Sequence, residues 1–213
     1  MKRLFARNFT QLLCAVACSV AGLSLSGSVA AQAAPTTLIR YPNASASAVA
    51  FVAHGELWTV PLAGGAAQRF THDRGDVIAP HYSPDGRWIA FTWRRAKARD
   101  VYVLPASGGE PRRLTFDGPG QAEDGLVVGW TPDSTRIVFL SERASPALGL
   151  IRAYSVPLSG GLEKPLSLDR AGLLSFSPDG KSIAYNRIFR NYELRKRYVG
   201  GRAQDIYTYD FNT

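Results

Sequence analysis

Only two cysteines occur in the 213 residues, Cys14 and Cys18, and both precede residue 20. The rest of the chain can therefore form neither a disulfide nor a thiolate metal site. That composition is compatible with an oxidising compartment and does not require one. Histidine is almost as scarce: His54, His72 and His81 are the three, and they do not have metal-ligand spacing. Catalytic signatures are missing too. There is no Gly-x-Ser-x-Gly elbow, no Ser-x-x-Lys pair, no His-Glu-x-x-His and no phosphate loop. No catalytic, cofactor-binding or metal-ligating residue is assigned, and no cofactor is implied. Long apolar runs are also lacking. The run at residues 12–25 falls short of the roughly 20 residues that span a bilayer, so no stable membrane span is expected.

That short run has a different reading. Lys2, Arg3 and Arg7 precede it, and Ala31-Gln32-Ala33 follows with a small-x-small pattern. Together they describe a secretory signal peptide over residues 1–33, removed after about Ala33. The expected destination is secreted, in the periplasm. The chain has 25 Lys and Arg against 17 Asp and Glu, and three of those bases lie in the leader. The remaining excess is modest and spread out. Residues 187–202 interleave Arg and Lys with Phe189, Tyr192 and Tyr198, a mixture that can bind single strands by stacking and charge. No nucleic-acid motif accompanies it, and no nucleic-acid partner is expected.

What the sequence does contain is repetition. Ser83-Pro84-Asp85-Gly86-Arg87-Trp88-Ile89-Ala90-Phe91 returns as Thr131-Pro132-Asp133-Ser134-Thr135-Arg136-Ile137-Val138-Phe139. It returns again as Ser177-Pro178-Asp179-Gly180-Lys181-Ser182-Ile183-Ala184-Tyr185. The prolines step by 48 and 46 residues, and Tyr41-Pro42-Asn43 reads as a degenerate copy 42 residues earlier. A second phrase runs in phase: Leu57-Trp58-Thr59-Val60-Pro61 before Gly64-Gly65, Val101-Tyr102-Val103-Leu104-Pro105 before Gly108-Gly109, and Ala153-Tyr154-Ser155-Val156-Pro157 before Gly160-Gly161. Asp205-Ile206-Tyr207 opens a fourth copy.

A period of roughly 40–50 residues, rich in strands and turns, is the signature of β-propeller blades. The expected fold is all-β, a propeller of TolB/WD40-like type. About four blades of four strands are present, at residues 37–72, 78–117, 125–168 and 171–213, as a partial ring within 34–213. In the second unit the strands are expected at 78–83, 88–92, 100–104 and 112–116. They are near-continuously apolar, as suits a sheet covered on both faces.

Recurrent polar residues invite functional readings. Asp85, Asp133 and Asp179 could be drawn as calcium ligands. The simpler role is to cap their own turns by accepting backbone N–H bonds. His72, Asp73 and Asp76 could make a loop ion site, and a solvated turn explains them as well. Trp58, Tyr102, Tyr154 and Tyr207 fit a blade core better than a ligand cage.

The Ser-Pro-Asp-Gly phrase is shared by TolB-like propellers generally. Two longer stretches resemble the tricorn protease family more selectively. Leu38-Ile39-Arg40-Tyr41-Pro42 with Val49-Ala50-Phe51-Val52-Ala53 and Gly55-Glu56-Leu57-Trp58-Thr59-Val60-Pro61 is similar to the opening of its first propeller. Arg197-Tyr198-Val199-Gly200-Gly201-Arg202-Ala203-Gln204-Asp205-Ile206-Tyr207 resembles a later segment of it. The resemblance implies a truncated piece of a six-bladed propeller from a serine peptidase. In that family a seven-bladed propeller, a PDZ domain and a catalytic region follow, and the catalytic groups lie in the last. The implied role is non-catalytic gating or channelling of peptides. The implied partners are peptides or proteins at the propeller channel and the missing PDZ and catalytic domains. An unclosed ring would also leave apolar strands such as Val49–Val52 at one end and Ile183–Tyr185 at the other without a neighbour, so further copies of the chain are expected as partners. Two alternatives are a TolB-like periplasmic binding propeller and the propeller of a prolyl-oligopeptidase-type hydrolase.

Overall fold

The computed structural model describes residues 38–73, 75–96, 98–116, 125–143, 150–187 and 204–211. The leader, most of the lengthened loop at 144–150 and the basic stretch 188–202 lie outside the described residues. So does most of the segment 197–207.

The described chain is all strand and turn, in four antiparallel sheets. The first holds β1 (Ile39–Ala44), β2 (Ala48–Ala53), β3 (Glu56–Pro61) and β4 (Gln68–Arg69). The second holds β5 (Asp76–Tyr82), β6 (Trp88–Arg95), β7 (Ala98–Pro105) and β8 (Arg112–Arg113). The third holds β9 (Leu126–Trp130), β10 (Arg136–Ser141), β11 (Arg152–Pro157) and β12 (Lys164–Pro165). The fourth shows three strands among the described residues: β13 (Leu174–Phe176), β14 (Ser182–Asn186) and β15 (Ile206–Asp210). Each sheet runs in sequence order from its first strand. The first strands are neighbours in space, β1 beside β5, β5 beside β9 and β9 beside β13. This is the blade order of a propeller, as an open ring.

Three cores separate the four sheets, and the pleat decides which residue enters which core. Side chains alternate across a strand. Ile89, Phe91 and Trp93 of β6 point back to the first sheet and join Ala50, Val52 and Leu57. Ala90 points forward and joins Val127, Ile137 and Phe139 of the third sheet. Val138 and Leu140 in turn face the fourth sheet with Leu126 and Ala153. Every residue of Ile89-Ala90-Phe91 is thus fully buried, although alternate residues serve different cores. Full burial of a side chain such as Phe91 contributes about 1.5–3 kcal/mol.

Two expectations are corrected. Tyr41-Pro42-Asn43 is not a copy of the Pro-Asp turn. It lies inside β1, where Asn43 pairs with Ala50, just as His81 of β5 pairs with Ala90. Its true counterpart is Ala79-Pro80-His81. Both strands bulge there, and Tyr41 and Ala79 share a positive φ of 53° and 48°. The first hairpin is two residues shorter and is capped by Ser45, whose hydroxyl accepts the Ala48 N–H at 3.1 Å. The outer strands are also shorter than expected. Only Arg112 and Arg113 pair with β7. Leu114 N still donates to Val101 O at 2.8 Å, but Val101 N then turns to the Thr115 hydroxyl at 2.9 Å. A side chain has replaced the next carbonyl, and the ladder stops. Phe116 is left 75% exposed. The first sheet ends the same way, with Leu57 N donating to Thr71 Oγ1 at 2.9 Å.

Candidate functional site

The three Pro-Asp turns each join the first and second strands of a sheet, and they share one hydrogen-bond design. The Ser83 hydroxyl donates to Asp85 Oδ1 at 2.5 Å and accepts the Trp88 N–H at 3.0 Å. Asp85 Oδ1 also accepts the Arg87 N–H at 3.1 Å. Thr131, Asp133, Thr135 and Arg136 repeat this at 2.6, 3.1 and 3.1 Å. Ser177, Asp179, Lys181 and Ser182 repeat it at 2.6, 3.1 and 3.0 Å. The carboxylates are turn caps. Hydroxyl donation, first from Ser83, lowers the Asp85 pKa to about 2, and the Thr131 and Ser177 hydroxyls lower those of Asp133 and Asp179. All three are ionised at neutral pH.

Ser134, where the other turns have glycine, keeps the left-handed backbone at φ 60°. Its hydroxyl accepts the Asp85 N–H of the preceding sheet at 3.1 Å. This link between blades was not anticipated from the sequence. Another stitch runs through His81. Asn43 Nδ2 lies 3.4 Å from its Nδ1, and Trp130 Nε1 donates to its carbonyl at 2.9 Å, so three sheets meet there. Burial lowers the His81 pKa to about 4 and keeps the ring neutral.

On this face the turns wall three open grooves among the described residues. The first, about 370 Å³, lies between the first two sheets beside Asn43, Tyr82 and Asp85. The second, about 490 Å³, contains Asp85, Arg87, Trp88, Arg112 and Asp133. The third, about 450 Å³, lies between the third and fourth sheets against Pro132, Asp133, Leu166, Phe176, Asp179 and Phe211.

Elsewhere the candidate residues are engaged structurally. Arg69 Nε donates to His72 Nδ1 at 3.0 Å, Asp73 pairs with Arg95 at 2.6 Å, and Asp76 pairs with Arg94. Among the described residues no group of three His, Cys, Asp or Glu side chains could hold a metal ion. No described helix is long and apolar enough to cross a membrane. Tyr102 and Tyr154 are buried in the inter-sheet cores, and Trp58 is half-buried. Tyr207 departs from them: it is exposed, and it packs on Tyr185 and under Arg187.

The comparisons with known proteins agree with this architecture. A family model for the tricorn protease N-terminal beta propeller domain matches residues 36–213. The chain belongs to that family. Tricorn protease homolog 1 of Streptomyces coelicolor is 34% identical over 176 residues, covering 83% of this chain but 16% of the homolog. The chain thus spans about one sixth of that relative's length. A protein of Sulfurisphaera tokodaii named as a Tricorn-like protease N-terminal subunit is 26% identical over 80% of this chain, and 86% of its own length is covered. The crystal structure of the tricorn protease matches with a TM-score of 0.69 at 26% identity, over 82% of this chain and 17% of that one. The tricorn-type propeller accounts for the blade order and the Pro-Asp turns.

Proposed function

We propose that this chain is the non-catalytic propeller portion of a secreted, periplasmic tricorn-like serine peptidase, and that it gates or channels peptides on their way to or from a catalytic region. The observation that carries the reading is the family match over 36–213, set beside a relative about five times as long. Residues 1–33 act as the export signal, and 34–213 form the propeller, with blades at 37–72, 78–117, 125–168 and 171–213. The described side chains favour a passive role: His72 engages Arg69, His81 faces Asn43, and neither of these contacts is with a serine nucleophile.

The deciding experiment compares a peptidase carrying this propeller with the same enzyme lacking it, on chromogenic peptides of graded length. Gating is supported if removing the propeller erases discrimination by length while short peptides are still cut. Identical length profiles would contradict it. The isolated chain should leave every peptide uncut. Turnover that co-purifies with the chain and is blocked by a serine-directed inhibitor would overturn the non-catalytic assignment.

A further inference from the structure

The groove between the third and fourth sheets differs from its two neighbours in one chemical respect. In the other turns the second carboxylate oxygen is occupied. Asp85 Oδ2 accepts from Arg87 Nε at 2.8 Å, and Asp133 Oδ2 accepts from the Thr135 hydroxyl at 2.8 Å. At Asp179 the turn bonds use Oδ1, and Oδ2 has no hydrogen-bond partner among the described residues. The repeat therefore acts as its own control: the same turn leaves one acceptor open, and that acceptor borders a groove.

The floor beside it is apolar and aromatic. Phe176 and Phe211 stack with ring centroids 6.4 Å apart, and Tyr209 meets Phe211 edge-on at 5.3 Å. Pro132 lies 3.6 Å from where a side chain on Gly180 would begin, so the two turns close one end. Among the described residues no cation lines this groove, whereas Arg87 and Arg112 line the one before it. The nearby Arg136 guanidinium is spent on Ser155, donating to its hydroxyl and its carbonyl at 2.9 Å each. Lys181 follows the turn and is exposed.

We propose that this groove binds an extended peptide through one cationic side chain next to one large apolar side chain. The ammonium or guanidinium meets Asp179 Oδ2, with Asp133 adding negative potential, and the apolar group lies on Phe176 and Phe211. Charge selects the first residue, and the aromatic floor selects the second. The proposal rests on the reading that this propeller handles peptides, and it adds which peptides are held and where.

The test is fluorescence anisotropy on the full chain with three capped, labelled peptides containing Lys-Phe, Gln-Phe or Lys-Ser. Lys-Phe should bind tightest, with Gln-Phe weaker by about three- to fivefold, the upper range for an exposed ion pair. Asp179→Asn keeps the turn acceptor and should remove that preference without weakening Gln-Phe. Phe211→Ala should weaken both Phe peptides by about tenfold and leave Lys-Ser unchanged. Asp85→Asn, in a turn of the same design, should change nothing, and thermal melts of each variant confirm folding. Equal binding of Lys-Phe and Gln-Phe, or a preference that survives Asp179→Asn, overturns the groove and leaves peptide gating standing. No binding of any peptide overturns the groove as well, and gating is then decided by the length profiles alone.

Discussion

Ile89-Ala90-Phe91 and Ile183-Ala184-Tyr185 are nearly the same words in different places. In the second sheet all three residues are fully buried; in the fourth only Ile183 is. Ala184 is exposed, and Tyr185 is half-buried. The first sheet shows the complement, with Ala50 buried and Val49 and Phe51 half-exposed. One rule covers all of them. The outer residues of each triplet face the preceding sheet, and the middle residue faces the following one. A sheet with two neighbours buries all three, and an end sheet loses one set. The ends are therefore unlike. The open face of the first sheet carries Val49, Phe51, Trp58 and Val60, whereas that of the fourth carries Ser175, Ala184 and Thr208, with Ile206 83% exposed. The expectation that Ile183–Tyr185 form an exposed apolar end is corrected accordingly, since Ile183 and Tyr185 face inward and only Ala184 of the triplet faces out.

The sharpest way to break this comparison is one substitution in both triplets. Ala90→Glu buries an unpaired carboxylate between two sheets and should cost several kcal/mol, enough to unfold the chain or nearly so. Ala184→Glu should stay within about 0.5 kcal/mol. Denaturant midpoints decide the matter, and equal losses would refute the sidedness rule. Association comes next. A large apolar face at one end favours self-association of the isolated chain. Trp58→Glu should shift light scattering towards monomer, and Thr208→Glu should shift it less. Equal effects would point to a contact elsewhere.

Acid should act on the joint where three sheets meet. His81 has a native pKa of about 4, below its ordinary value of about 6.5, so the unfolded chain takes up the proton first. Stability should fall as pH drops from about 6.5 to 4, and His81→Gln should flatten that limb. Asp85, Asp133 and Asp179 contribute in a lower window, because their lowered pKa values add stability above about 4 that is lost as the pH falls further, for Asp85 through about 2. A melt series in which His81→Gln keeps the wild-type slope between pH 6.5 and 4 would remove His81 from the account. The smallest effect is expected at Ser134→Gly. Relief of the left-handed serine and loss of the bond from Asp85 N are each about 1 kcal/mol and opposed, so the net change should stay below about 1 kcal/mol. A larger loss would mean that the bond between blades outweighs the strain.

Much of this architecture was legible in the sequence. The doubly phased repeat identified the sheets, and Pro with Asp and Gly identified the turns, because those residues dictate backbone geometry locally. The family could be read from Leu38 to Pro61 for the same reason: a long string of residues with fixed spacing. What failed was register and context. Pro42 mimics Pro84 by type, but a hairpin two residues shorter moves it into a strand bulge beside Pro80. The outer strands were overdrawn because Thr115 looks like a strand residue, while its hydroxyl ends the ladder. The groove at Asp179 could not be seen, since its open oxygen depends on what Arg87, Thr135 and Lys181 each do with the same turn. Burial at the ends was hidden because a repeat does not state its own place in the array.

Amide hydrogen exchange followed strand by strand tests the stacked-array account most directly. Amides of β6 and β10, flanked on both sides, should exchange only with opening of the whole molecule, and those of β14 and β15 should exchange earlier through local opening. Uniform protection across all four sheets would contradict a stack whose stability at each sheet depends on its neighbours.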